Sequence, residues 1–454
     1  MKKLKIFVAV LLSFVLAFSF SGCTTKLQPF EKLLRPPKMT GKYQVLQDTF
    51  EEYAGKNYTL VTPEKGEYQS AFVIKDIDGD EADEALVFYT EKDSPEKVKF
   101  CYFEYEDEKW IPVSKNDGLG NSIDKVYIAD LNNDKNNELV IGWGFFDSKI
   151  NKTFSVYILQ QNELKSISAY PYTYLNIVDL IGNGVSEIFT LYSKSGADEP
   201  STAYARAYSL NAKTNEVDLF SETQIDGNVS AYDLVSVEKL NGLNYIYIDG
   251  YKGLDEMITE VVYWDEEKAS LVSPLFETET LSTKQTIRHT GMNCTDIDGD
   301  KYLEIPVSVD MNGSLVTVSD DNNELLEKPI YFTKWVKFRS NKLQSVQYSI
   351  VNESDSYIIN IPSSWVGRIT VKGAQGQWDI YRWDSSSSSY GDLLFSIYAY
   401  PKTDTEAQKK FGAYKALKNY NNKSYVYNIT EAGYKFGVKD DIIESNVNIG
   451  FFNN

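Results

Sequence analysis

Asp76-Ile77-Asp78-Gly79-Asp80-Glu81-Ala82-Asp83-Glu84 returns in the same pattern as Asp296-Ile297-Asp298-Gly299-Asp300-Lys301-Tyr302-Leu303-Glu304. A close variant is Asp130-Leu131-Asn132-Asn133-Asp134-Lys135-Asn136-Asn137-Glu138. A worn copy runs over 179–187 and a faint one over 238–246, so the starts lie 49 to 59 residues apart. Each copy follows a short apolar run. In the first three another follows, as Ala71-Phe72-Val73-Ile74 and Ala85-Leu86-Val87-Phe88-Tyr89 flank the first. Self-similarity at this period marks supersecondary units stacked on their neighbours.

Each period also holds four strand-like runs, in the first unit at 71–75, 85–91, 97–105 and 110–113. Aromatic residues make up 14% of the chain, with 33 Tyr against 5 Met, which favours strands over helical bundles. Four short antiparallel strands per unit, repeated in series, predict a mainly β chain. Residues 66–349 then form a β-propeller of about five four-stranded blades, with an insertion at 311–330. A sixth blade completed by 58–61 stays open. Upstream, residues 41–65 place Leu46, Phe50 and Tyr53 at helical spacing before a short strand. The acidic copies stop near 350, and 350–454 predict a small α+β domain. One of its helices opens at Thr403-Asp404-Thr405-Glu406 and runs to about 419, and a last helix lies near 439–446.

Carboxylates at alternate positions of a tight turn suit calcium, which takes six to eight oxygens. Asp76, Asp78, Asp80 and Glu84 provide such a set, as do Asp296, Asp298, Asp300 and Glu304. Asp130, Asn132, Asp134 and Glu138 provide one with a charge fewer. These loops resemble the calcium loops of FG-GAP/VCBS repeats, the blade repeats of integrin α-chain propellers and of many bacterial surface proteins. The resemblance covers roughly residues 66–349. It implies structural Ca2+ at the three loops, each joining the first and second strands of a blade on one face. One departure is that the closing residue is Glu, where the integrin type usually has Asp. The residues also allow a second reading, acidic turns held by Asx-type hydrogen bonds, and that reading is preferred for the third and fourth copies.

Residues 1–22 begin with Lys2, Lys3 and Lys5, continue with apolar Ile6 to Phe20 and lead into Cys23. Phe20-Ser21-Gly22-Cys23 resembles the lipobox of bacterial lipoproteins, with Phe20 where Leu is more usual. The resemblance implies cleavage before Cys23, lipidation of its thiol, a tether over 23–40 and a place on the extracytoplasmic face of the cell membrane. Net charge is -19, and removing 1–22, with three Lys and no acid, makes it -22. This argues against nucleic acid as a partner. Cys101 and Cys294 sit in apolar strand contexts and read as buried free thiols, with a bridge between them left open.

The one histidine, His289, has no Gly-x-Ser-x-Gly companion and no metal-binding partners in sequence. The chain therefore reads as a non-enzyme. The function expected is a membrane-anchored binding or scaffolding module for a protein or glycan, using the face opposite the acidic loops. Tyr170, Tyr172 and Tyr251 are its candidate stacking residues, or else ordinary packing aromatics. The alternatives are an enzyme acting on cell-wall or extracellular polysaccharide through paired carboxylates, and an accessory subunit of a membrane complex.

Overall fold

The computed structural model describes residues 41–453 apart from 147, 162, 195–199, 254 and 320–323. The expected signal segment 1–22, Cys23 and the expected tether to residue 40 lie outside the described residues. Strand outweighs helix, 58% to 10%, so the chain is mainly β. The helix Lys42–Ala54 forms as predicted and turns Leu46 and Phe50 inward. In the first sheet, Phe72–Lys75, Glu84–Glu91, Ser94–Glu106 and Lys109–Asp117 pair antiparallel in chain order. Tyr58–Leu60 pairs with the far half of Glu84–Glu91, so it extends this sheet and starts no sixth unit.

Strand Glu84–Glu91 shows how the sheets stack. Successive side chains point to opposite faces. Ala85, Val87 and Tyr89 meet Leu46 and Phe50 of the helix, while Leu86 and Phe88 meet Leu139, Ile141 and Trp143 of the second sheet. Three more four-stranded sheets follow, from Ser122–Ala129 through Glu163–Tyr172, from Tyr174–Val178 through Glu216–Ile225, and from Val229–Leu240 through Ser270–Val272. Separate apolar clusters join the second sheet to the third, the third to the fourth and the fourth to the fifth. Among the described residues no cluster joins the fifth sheet to the first. The helix covers one end of the series and the C-terminal sheet the other. Capped ends keep the terminal apolar faces of a repeat stack out of water.

The fifth sheet reaches past the expected boundary at 350. It orders Glu304–Asp310, Tyr331–Arg339, Lys342–Asn352, Tyr357–Ile361 and the distant Val447–Ile449. The strand expected at 293–295 is only a bridge, Thr295 to Glu304. The insertion contributes Leu315–Ser319, which pairs in parallel with Ile369–Ala374 and so belongs to the C-terminal sheet. Asp404 caps the helix Thr405–Phe411 through the N–H groups of Glu406 and Ala407. That helix stops well short of 419, and Lys415–Tyr420 forms an edge strand instead.

Residues 273–295 carry almost no regular structure, so side chains must satisfy their buried backbone. Asp226 accepts the Thr283 N–H at 2.9 Å and Glu260 accepts the Thr283 hydroxyl at 2.8 Å. The Thr286 hydroxyl donates to the Thr259 carbonyl at 2.7 Å. Arg288, fully buried, pairs with fully buried Asp249 at 2.8 Å.

Candidate metal centres and the opposite face

In the loops 76–84, 130–138, 179–187 and 296–304 the first Asp and the closing Glu organise the backbone. Asp76 accepts the N–H groups of Gly79 at 2.7 Å and Glu81 at 3.2 Å. The closing Glu turns inward. Glu84, Glu138, Glu187 and Glu304 accept the N–H groups of Ile77, Leu131, Leu180 and Ile297 at 2.6, 2.8, 2.7 and 2.8 Å. All four are buried. The third loop keeps this cap although Ile181 replaces an acid, so the Glu serves the fold whether or not it binds an ion. Its side chain is long enough to span the loop and reach the N–H of the loop's second residue. The fourth copy is no loop at all: Asn241-Gly242, both at positive φ, make a two-residue hairpin turn between Leu240 and Leu243.

Neighbouring loops are stitched together. Asn137 donates its side-chain amide to the Asp76 carbonyl at 3.1 Å and its N–H to the Ile77 carbonyl at 2.8 Å. Gly79 has φ 80°, and a Cβ there would lie 2.3 Å from the Lys135 carbonyl oxygen. Only glycine fits this contact.

The loops differ in what stands opposite the closing Glu. In the first, Asp76, Asp78 and Glu84 bring oxygens within 4.8 Å of one another. The next strand places Glu104 opposite Glu84, one step beyond the Ala85–Phe103 pair. Desolvation lifts the Glu84 carboxyl to about 7, and the charges of Asp78 and Asp80 add to the lift. Desolvation likewise raises Glu104, helped by Glu106, Asp78 and Asp80. An all-oxygen set under mutual repulsion suits a hard cation.

The fifth loop also gathers Asp296, Asp298 and Asp300 within 4.8 Å. There Lys337 pairs with Glu304 across the strands. Its ammonium lies 3.0 Å from Asp298 and 3.1 Å from Glu304, and it also pairs with Asp300. Desolvation pulls Lys337 down, but its hydrogen bonds to Asp300, Asp298 and Glu304 prevail and hold it above its ordinary value. A metal at this loop has to displace that ammonium. In the second loop the Asn132 side-chain NH2 group donates to Asp134 at 3.0 Å and Glu138 at 3.3 Å, so that amide must turn over before it can offer oxygen.

Glu187 gives a pH test free of metal. Burial raises it from 4.5 to about 7. Between those values the folded state holds a proton the unfolded chain has lost, so this group's stabilisation is present below about pH 4.5 and disappears as pH rises through 7. Glu187→Gln keeps an oxygen for the Leu180 N–H and removes the proton. Its melting temperature should fall less than that of the parent between about pH 5 and pH 8. Parallel curves contradict the assignment.

The expected stacking tyrosines are mostly packing residues. Tyr172 is fully buried and donates to Asp124 at 2.8 Å. Tyr170 packs on Tyr208 at 4.8 Å between ring centroids and donates to the Val217 carbonyl at 2.8 Å. Both lie in strand Glu163–Tyr172, not in a loop, and that strand faces the third sheet. Tyr251 is 38% exposed. Cys101 and Cys294 are buried free thiols. His289 stacks on Tyr331, centroids 4.3 Å apart, beside a cleft of about 580 Å³ that Glu353 also lines.

No family model and no curated protein matches the sequence. Among solved structures, the chain is similar to a periplasmic gluconolactonase of Pseudomonas aeruginosa, at 11% identity over 75% of this chain and 95% of that one, with a TM-score of 0.25. It is also similar to an exotype rhamnogalacturonan lyase, at 9% identity over 82% and 91%, with a TM-score of 0.30. Both are enzymes, and the reading of this chain as a non-enzyme is withdrawn on that finding. Likeness this distant assigns no activity or substrate.

Proposed function

We propose that the chain is a lipid-tethered extracytoplasmic protein directed at carbohydrate, in which cation-clipped sheets hold a recognition surface opposite the acidic loops. The observation that carries the cation is the oxygen cluster of Asp76, Asp78 and Glu84, with Glu104 on the neighbouring strand; among the described residues no lysine or arginine forms an ion pair with these carboxylates. Calcium is the fitting ion, since it accepts many oxygens in irregular geometry. Its role is structural: it offsets repulsion among the loop carboxylates and fixes the edge of the first sheet. The FG-GAP/VCBS-like pattern supports the same ion. Among the described residues no helix is long and apolar enough to cross a membrane. The attachment proposed is lipid at Cys23, after the lipobox-like Phe20-Ser21-Gly22-Cys23, and Cys23→Ala should move the chain from the membrane to the soluble fraction.

Calcium at about 100 times its Kd should stabilise the fold by about 2.7 kcal/mol. The melting temperature should rise accordingly, and Asp76→Ala with Asp78→Ala should remove the rise. A melt indifferent to calcium and EGTA would sink the ion. Carbohydrate recognition is tested by binding of the full chain to immobilised neutral and acidic polysaccharides; failure on every one defeats that part of the reading.

A second reading, action on polysaccharide, is favoured by the cleft between the fifth and C-terminal sheets. There the only histidine of the chain and the Glu353 carboxyl share one concavity. The neighbouring Asp355 is already bound to Lys423 at 2.9 Å and to the Gly376 N–H at 3.1 Å. Among the described residues Glu353 accepts only the Gly291 N–H, at 2.5 Å, so that His289 and the carboxyl of Glu353 are the candidates to move protons, with Lys328 also on the wall. If release of reducing ends or unsaturated sugars is found, Glu353→Gln and His289→Ala should each abolish most of it. Activity unchanged in both variants rules this cleft out.

A further inference from the structure

The side opposite the acidic loops carries a pocket of about 780 Å³. Its walls include the starts of Ser122–Ala129, Tyr174–Val178 and Val229–Leu240, the ends of those strands remote from the acidic loops. In a chain of net charge -19, four lysines line this pocket, Lys65, Lys125, Lys152 and Lys194, and the first three shape its charge. Lys65 is exposed, on a segment whose N–H donates to the Asp124 carbonyl at 2.9 Å. Lys125 is half-buried, 3.0 Å from the Leu175 carbonyl and 4.6 Å from the Tyr174 ring centroid. Lys152 pairs with Asp124, whose other oxygen takes the Tyr172 hydroxyl at 2.8 Å.

The second acid on the wall, Asp233, holds the Asn293 amide at 2.6 Å. Among the described residues no carboxylate lies within ion-pairing distance of Lys65 or Lys125. Burial depresses the Lys125 ammonium, and the charges of Lys65 and Lys152 add to this against a single attraction from Asp124. Gathering like charges in a concavity costs free energy that a bound anion would relieve. The rest of the wall is not built for a bare ion. Ser193 and Tyr232 join their hydroxyls at 3.3 Å, and Thr173 accepts the Ser193 N–H at 3.2 Å, leaving its own O–H free to donate. Leu175 and Val229 add apolar surface. Volume, hydroxyls and apolar wall together match a ring-sized organic ligand.

We propose that this pocket binds a carboxylated sugar, a uronate residue of an acidic polysaccharide, with its carboxylate between Lys65 and Lys125 and its hydroxyls toward Thr173 and Ser193. The proposal rests on the carbohydrate reading above and names the sugar class. The test is titration calorimetry of the full chain with oligogalacturonate, with a neutral oligosaccharide of equal length, with poly-glutamate and with inorganic phosphate. Oligogalacturonate should bind, the neutral sugar should not, and binding should weaken with salt. Lys125→Met and exposed Lys65→Met should each reduce affinity about tenfold, the scale of one lost charge-assisted contact. The Lys65 variant guards against a folding defect at Lys125. Phosphate or poly-glutamate binding as tightly as oligogalacturonate overturns the sugar assignment. Neutral sugar binding while the uronate fails also overturns it and leaves the carbohydrate reading standing, whereas failure of both sugars counts against that reading too.

Discussion

Replacing Arg288 with methionine should cost about 3–5 kcal/mol, the scale found when one partner of a buried ion pair is removed. Methionine keeps much of the volume but leaves the Asp249 carboxylate without its counter-charge. Both side chains are fully buried in the parent fold, so the stranded carboxylate starts out of contact with bulk water. The guanidinium also donates to the Met292 carbonyl at 2.5 Å and the Thr259 hydroxyl at 2.9 Å, and Asp249 takes the Cys294 N–H at 2.9 Å. These bonds tie the strandless segment 273–295 to the fourth sheet. Denaturant unfolding should show the loss, and limited proteolysis should cut first within that segment. Asp249→Asn added to Arg288→Met should cost less than the sum of the single changes, because the stranded charge is gone. A near-neutral Arg288→Met would show that the segment is held by other contacts.

Lys337→Ala should cost about 3 kcal/mol in EGTA, since it leaves Asp298, Asp300 and buried Glu304 facing one another without a cation. Calcium should recover much of that loss, because the variant loop then has the open carboxylate set that 76–84 has already. The parent loop should respond weakly, its ammonium being tethered and always present. Melting curves of the parent and variant with and without calcium decide the point. A Lys337→Ala loss that calcium leaves unrepaired means the fifth loop cannot hold the ion even when vacated.

How far the sequence could be read follows from which facts are local. The nonapeptide turns, the helix Lys42–Ala54 and most strands are visible because period, polarity and turn residues are local signals. Lys337 and Glu104 were missed because each meets its loop across a strand pair, and register is not written in either strand alone. Counting from the closing Glu to the opposite strand was the available signal. The boundary at 350 failed for a related reason: Val447–Ile449 completes the fifth sheet from nearly 100 residues away. Tyr170 and Tyr172 looked like loop aromatics because their strand runs further than its apolar residues suggest. His289 gave no sequence cue, since its cleft is formed only when the C-terminal sheet docks on the fifth. The lysine pocket was equally hidden, its lysines coming from four separate stretches of an acidic chain.

The central claim is that the residue opposite the closing Glu decides which acidic loop takes a cation. Calcium titration by calorimetry on the parent, Asp76→Ala and Asp296→Ala proteins tests it most directly. The prediction is that the tightest calcium site is lost in Asp76→Ala and retained in Asp296→Ala. Absence of binding in the parent, or loss only in Asp296→Ala, would contradict it.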